Sequence, residues 1–230
     1  SLESLTGEQA RENLLQSGLW TALRTRPFNR VPAPESVPRS IFVTAMDSNP
    51  LGADPAVVLA EQAEDFVAGL HVLSRLTAGA VYVCHEAGKS VPGDGVPGVA
   101  LASFAGPHPS GLPGTHIHFL DPVNADRTVW FLGYQDVIAF GALFRTGRIR
   151  TERVVAFGGP GVEQPRLLRT RMGACLDDLV KGSLVEGELR VVSGSLLAGR
   201  HSESPVVYLG RGHAQVSVLW GGREGGVGGW

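Results

Sequence analysis

Two folded pieces are predicted: an α/β domain built on a parallel-type sheet over residues 1–150, then a small α+β domain with mostly antiparallel strands over residues 151–230. Three observations carry this. Apolar runs at 40–46, 80–84 and 98–104 are separated by segments with helical spacing, the strand–helix–strand order of a parallel unit. Past Thr151 the pattern changes to short Val-rich runs between Gly and Pro turns. The charge balance shifts at the same place, from 11 basic against 14 acidic residues up to 150 to 9 against 8 after it, or −3 and +1.

The elements follow in order. Thr6 with Gln9 three residues on is a capping box; it opens a short helix with Ala10, Leu14 and Leu15 on one face and Gly18 as its stop. From Trp20 to Pro38, Pro27, Pro32, Pro34 and Pro38 interrupt the chain, which predicts a long ordered loop. The run SIFVTAM (40–46) reads as a buried strand, after which Asp54 can cap a helix with Pro55 at its first position. Apolar residues from Val57 to Leu76 keep helical spacing, in two helices broken near Ala63. Strands are expected at 80–84 and 98–104, then a loop passing into a short helix over 106–122, and a further strand at 129–132. Tyr134–Thr146 is a helix with Val137, Ile138, Phe140, Leu143 and Phe144 inward, Asp136 in its first turn and Gly147 beyond its end. In the second half RVVAF (153–157), ELRVV (188–192), PVVYL (205–209) and QVSVLW (215–220) read as strands, and CLDDLVK (175–181) as one small helix.

Composition narrows the function classes. With 43% hydrophobic and 18% charged residues, bulk disorder and a coiled coil are excluded. A net charge of −2 supplies no basic field for nucleic acid or an anionic membrane surface. No apolar stretch approaches the roughly 18 residues needed to span a bilayer. The first residues, SLESLTGEQ, lack the pattern of a signal peptide. Cys84 and Cys175, far apart and each in an apolar run, read as buried thiols of a reducing compartment.

Motifs with familiar chemistry are weak. Gly93, Gly95 and Gly98 spell GxGxxG, but Pro97 and the run after it lead the glycines into a strand, whereas a phosphate loop leads into a helix. Gly88, Lys89 and Ser90 lack the earlier glycine of a P-loop, whose place Val83 holds, and read as a surface turn. His108, His116 and His118 have no Glu, Asp or Cys at ligand spacing, so satisfied or solvent-facing histidines are the better reading. No GxSxG elbow or CxxC pair occurs, and no residue is assigned as catalytic, cofactor-binding or metal-ligating.

What remains is SGLWTALRTRPFNRVP (17–32), which sets Trp20 and Phe28 among Arg24, Arg26 and Arg30. Arginine stacks on aromatic rings and forks onto oxyanions, so the mixture can hold an anionic or planar ligand or anchor a protein partner. A loop merely packed on its own domain is the equal alternative. Arg24, Arg26 and Phe28 are the candidate contacts.

This segment begins a set of six, SGLWTALRTRPF (17–28), IFVTAMDSNPLGADP (41–55), HPSGLPGTHIHFLDPV (108–123), YQDVIAFGALFRTG (134–147), PRLLRTRMGA (165–174) and RVVSGSLLAG (190–199). Together and in order they resemble the A-subunit family of the sodium-translocating NADH:quinone reductase, the respiratory sodium-pumping complex of bacterial inner membranes. The match covers essentially the whole chain. The resemblance implies a Rossmann-like domain followed by a ubiquitin-like β-grasp (soluble-ligand-binding) domain. It also implies an interior fragment, preceded by a lipoyl-like domain and followed by a helical region. More distantly the arrangement is similar to the flavin- and NADH-binding subunit of respiratory complex I and of Rnf-type complexes. There a glycine-rich loop holds the flavin phosphate; here Trp20, Leu23, Arg24 and Phe28 stand where close backbone approach needs glycine, which implies a scaffold that has lost its nucleotide site.

The resemblance therefore implies a peripheral subunit on the cytoplasmic face of the inner membrane, docked chiefly on the membrane-embedded B-type partner of the same complex and touching the membrane only through partners. It supports electron transfer from NADH to ubiquinone coupled to sodium export. FMN, FAD, riboflavin and iron–sulfur centres are expected in partner subunits, with no redox cofactor in this chain and ubiquinone as a candidate ligand at Arg24, Arg26 and Phe28. Two alternatives stand beside this reading: a flavin/NADH-binding subunit of an Rnf- or complex I-like assembly, and a purely structural scaffold.

Overall fold

Thr6 starts the first helix by reciprocal capping: its hydroxyl accepts from the Gln9 N–H at 3.2 Å while Gln9 Oε1 accepts from the Thr6 N–H at 3.1 Å. Helix α1 runs Gly7–Gln16 in the computed structural model, which describes residues 2–221. Ala10 and Leu14 are buried, but Leu15 is 36% exposed, because it lies about 100° round the helix from Leu14. Where a loop was predicted, the chain forms a 3₁₀ turn at Leu19–Ala22 and a strand, β1, at Arg24–Arg26. The prolines forbid neither, since all four follow Arg26.

Strand β2 is Ile41–Ala45. The Asp54 carboxylate accepts from the Ala56 N–H at 3.0 Å and starts α2, Pro55–Glu61; α3, Ala63–Ser74, follows after a single break. Then come β3 (Val81–Glu86), β4 (Val99–Phe104), α4 (Pro113–Leu120), β5 (Val129–Gly133) and α5 (Tyr134–Thr146), the last ending at Gly147 with φ +70°. These strands form one sheet in the order β1-β5-β2-β3-β4, parallel throughout except for β1 on β5. Side chains alternate between its faces. Phe42, Cys84 and Val129 lie under Ile117 of α4, and Ile41, Val43, Val81, Val83 and Leu132 are buried on the opposite face.

By their contacts, residues up to Ser48 and Asp54–Arg150 form this unit, while Asn49–Ala53 group with the chain from Thr151 onward in a second. The second unit contains β6 (Glu152–Gly158), β7 (Arg166–Arg171), α6 (Leu176–Val180), β8 (Leu189–Ser193), β9 (Arg200–His201) and β10 (Gln215–Trp220). The sheet order is β7-β6-β10-β8-β9, with β6 and β10 parallel and every other pair antiparallel. Val155, Phe157, Leu176, Val216 and Val218 form its core.

Two readings of this half need correction. PVVYL is no strand: it makes only isolated bridges at Val206 and Tyr208, because Pro205 has no N–H for a ladder and Val206 and Tyr208 lie 40% and 53% exposed. Conversely RLLRTR forms β7 although its apolar pattern is broken by three arginines, since an edge strand needs only one buried neighbour. Over the described residues the chain is mixed α/β with two sheets.

Candidate functional site

The segment 17–32 is built outward from a buried tryptophan. Trp20 meets Trp130 of β5 edge-on at 5.3 Å, and its indole N–H donates to the Pro32 carbonyl at 2.8 Å, which fastens both ends of the segment to the sheet. Strand β1 then pairs with β5, Arg24 opposite Phe131 and Arg26 opposite Val129, so both arginines leave the strand on one face. The Arg26 guanidinium lies 5.1 Å from the centre of the Phe131 ring. Arg24 donates to the carbonyls of Thr21 at 2.9 Å and Leu23 at 3.2 Å.

Thr25 closes the turn that follows. Its N–H donates to the Arg30 carbonyl at 2.8 Å, its carbonyl accepts from Asn29 N–H at 3.0 Å, and its hydroxyl accepts from Arg30 N–H at 3.1 Å. Within this turn Phe28 has φ +80° and Asn29 φ +51°, and the Phe28 ring is 74% exposed. Of the predicted contacts, Arg24 and Arg26 thus share a face of one short strand, and Phe28 projects from the turn beyond them.

A second cluster stands where the parallel strands end. The strands β2, β3, β4 and β5 lie in spatial order third, second, first, fourth, so the crossovers diverge between β2 and β5, the place where open α/β sheets form a crevice. Just past β2, Ser48 Oγ accepts from the Gly111 N–H at 2.9 Å and lies 3.1 Å from His108 Nδ1, tying the chain after β2 to the chain after β4. Sequence reasoning misses Ser48, because no local spacing marks a pair sixty residues apart.

The weak motifs resolve as turns and packing. Gly93, Gly95 and Gly98 all have positive φ and lead into β4. Lys89 is held 2.8 Å from both Asp54 and Glu86; hydrogen bonding raises the Lys89 pKa, and Lys89 in turn holds the Asp54 carboxyl below its ordinary range. His116 is buried in α4 with Nε2 on the Ser110 carbonyl at 2.8 Å, while His118 is exposed beside Phe119. Among the described residues no three His, Cys, Asp or Glu side chains are grouped to hold a metal, and no helix is long and apolar enough to cross a membrane.

Two family models match the chain: "NqrA second alpha/beta domain" over residues 5–149 and "NQRA C-terminal domain" over residues 154–204. It is 61% identical over 218 residues to the NqrA protein of the Na(+)-translocating NADH-quinone reductase of Pseudomonas aeruginosa (strain UCBPP-PA14), covering 95% of this chain and 48% of that protein. The corresponding protein of Serratia proteamaculans (strain 568) is 59% identical over 229 residues, covering 100% of this chain and 51% of that protein. The chain spans about half the length of the curated relatives it matches. Among solved structures, an NAD+-reducing NiFe hydrogenase in the H2-reduced state shares the fold with a TM-score of 0.61 at 14% identity, over 95% of this chain and 50% of that one. With the first model matching well over half of its residues, the chain belongs to the NqrA family.

Proposed function

We propose that this chain is part of a peripheral subunit of a Na+-translocating NADH:quinone reductase, and that it acts by docking rather than by carrying electrons. The name shared by the matched relatives supports the complex. The observation that supports the docking role is Trp20, buried at 3% exposure and edge-on to Trp130: the resemblance to flavin-binding subunits implies a glycine-rich phosphate loop in this segment, and a bulky buried ring stands there instead. FMN, FAD, riboflavin and iron–sulfur centres belong, on this reading, to the partner subunits. The protein sits at the cytoplasmic face of the inner membrane, chiefly on the membrane-embedded B-type partner, and contributes to quinone access only through that docking.

The folds of the two units support the same reading. The third-second-first-fourth order of parallel strands agrees with the first four strands of a Rossmann-type sheet, which supports a Rossmann-like first unit. In the second unit a hairpin, one helix and a last strand returning parallel beside the first support the β-grasp reading.

The test uses the full-length subunit that contains this chain. Removed from the complex, it should leave NADH-driven quinone reduction and sodium transport lost, and adding it back should restore both. The purified subunit should be colourless, with tryptophan emission that does not respond to micromolar flavin or NADH. A yellow subunit that binds flavin stoichiometrically would overturn the docking role in favour of an electron-carrying one.

A further inference from the structure

We propose that the turn Arg26–Arg30 is an anchor that inserts Phe28 into an apolar pocket rimmed by carboxylates on a partner protein. The proposal rests on the docking role and names the chemistry of the contact.

Three independent features of the turn lead there. The first is exposure: a phenylalanine ring 74% in water is a large apolar surface left unused by its own unit, although Trp20 a few residues earlier is fully absorbed. The second is backbone strain. A bulky residue at φ +80° followed by Asn29 at φ +51° lies on the unfavourable side of the map, and the hydrogen bonds of Thr25 hold both residues there. The fold spends stability on pointing this ring outward. The third is charge: residues 17–34 contain Arg24, Arg26 and Arg30 and no carboxylate, a positive island in a chain of net charge −2. Its complement is an acidic surface, which would steer encounter and fix orientation.

The arrangement is also prepared for binding. Arg26 lies over Phe131 and Arg24 is tied to backbone carbonyls, so little side-chain freedom remains to be lost on association. An aromatic anchor flanked by arginines is the composition in which interface energy concentrates. A projecting ring suits a pocket on another protein better than a small planar ligand, which needs a concavity on this chain to bury it.

The test uses the full-length subunit with the remaining complex, and the dissociation constant is measured at two ionic strengths. Phe28→Ala should weaken association about tenfold or more, Phe28→Trp should keep wild-type affinity, and Arg30→Glu should slow association and flatten its salt dependence. Leu197→Ala, an exposed apolar residue of the second unit at 56%, is the control and should change nothing. Because Phe28 is exposed, its variants should keep the wild-type circular dichroism. If wild type binds and both Phe28→Ala and Arg30→Glu bind equally well, the anchor is wrong and the docking role stands. If the wild-type protein does not bind the remaining complex, the docking role fails and the anchor with it. If Phe28→Ala assembles normally but raises the KM for quinone, the turn contacts a small ligand and the anchor is overturned.

Discussion

Gly141 of α5 lies directly against Gly69 of α3. A side-chain carbon at 141 would stand 2.7 Å from the Gly69 nitrogen and inside the radius of the Asp65 carbonyl oxygen, and one at 69 would stand 2.7 Å from a Val137 methyl. Glu64 and Asp65 of α3 clasp Arg145 of α5 beside this crossing. Glycine inside a helix costs about 1 kcal/mol relative to alanine, so the close approach must outweigh that loss. Gly141→Ala should therefore destabilise the first unit by about 1–3 kcal/mol despite the better helix former. Urea unfolding followed by Trp20 and Trp130 emission measures it, and an unchanged or higher midpoint would sink the idea.

Asp121, 8% exposed after the end of α4, accepts from the Ser40 hydroxyl at 2.7 Å and from Arg39 Nε at 3.2 Å, tying α4 to the start of β2. Asp121→Ala leaves the buried hydroxyl of Ser40 without its acceptor and should cost about 1–3 kcal/mol. The Arg39 side chain is 55% exposed, so Arg39→Ala should cost less than about 1 kcal/mol. Equal losses in the two variants would show that the ion pair, and not the buried hydroxyl, sets the contribution.

His116 gives the first unit a pH dependence. Its ring packs 4.4 Å from Phe104, and burial pushes its pKa below the ordinary 6.5. A base with a depressed folded pKa takes up its proton more readily when unfolded. The stability it contributes is complete above pH 6.5 and declines as the pH falls through the interval down to the folded value. His213 in the second unit has the same sign, from burial first and from Arg200 next. A glutamine at 116 can still donate to the Ser110 carbonyl but does not titrate, so His116→Gln should flatten the acid slope of hydrogen exchange in α4. Superimposable pH profiles for the variant and wild type would refute this.

What could be read from the sequence was local. Thr6 with Gln9, Asp54 with Pro55, and Gly147 are each recognised by a spacing of a few residues, and the helices they bound form where expected. Strands β2, β3 and β4 are apolar enough to declare themselves. Strands β1 and β7 carry arginines that break the apolar pattern; β7 pairs with β6, the strand just before it, while β1 takes its pairing from β5, far along the chain, which no local pattern encodes. The same divide runs through the site. Composition marks Arg24, Arg26 and Phe28, but that Trp20 is buried while Phe28 is exposed depends on Trp130 and on the closure made by Thr25. Ser48 and His108 meet only because the sheet order brings their loops together.

The two thiols should react at very different rates. Burial pushes the Cys84 thiol up to about 12, so almost no thiolate is present at neutral pH and the group is shielded as well. Cys175 is half-buried at the start of α6. Iodoacetamide at neutral pH should label Cys175 in the native chain and Cys84 only after denaturant is added, as read by mass spectrometry of the peptides. Native labelling of Cys84 at a comparable rate would mean that β3 opens readily.

Phe28 separates stability from docking. Glycine tolerates φ +80° without the steric penalty that a Cβ incurs, while glycine also loses more freedom on folding. The two effects leave Phe28→Gly more stable than wild type by about 0.5–1 kcal/mol. Phe28→Ala keeps the Cβ and should gain nothing, because the strain lies in the backbone and not in the ring. A urea midpoint that rises for glycine but not for alanine, in a variant that no longer associates with the complex, is the signature of a residue held for function at the expense of stability. If glycine is no more stable than alanine, the turn is relaxed as it stands and the strain argument for the anchor is lost.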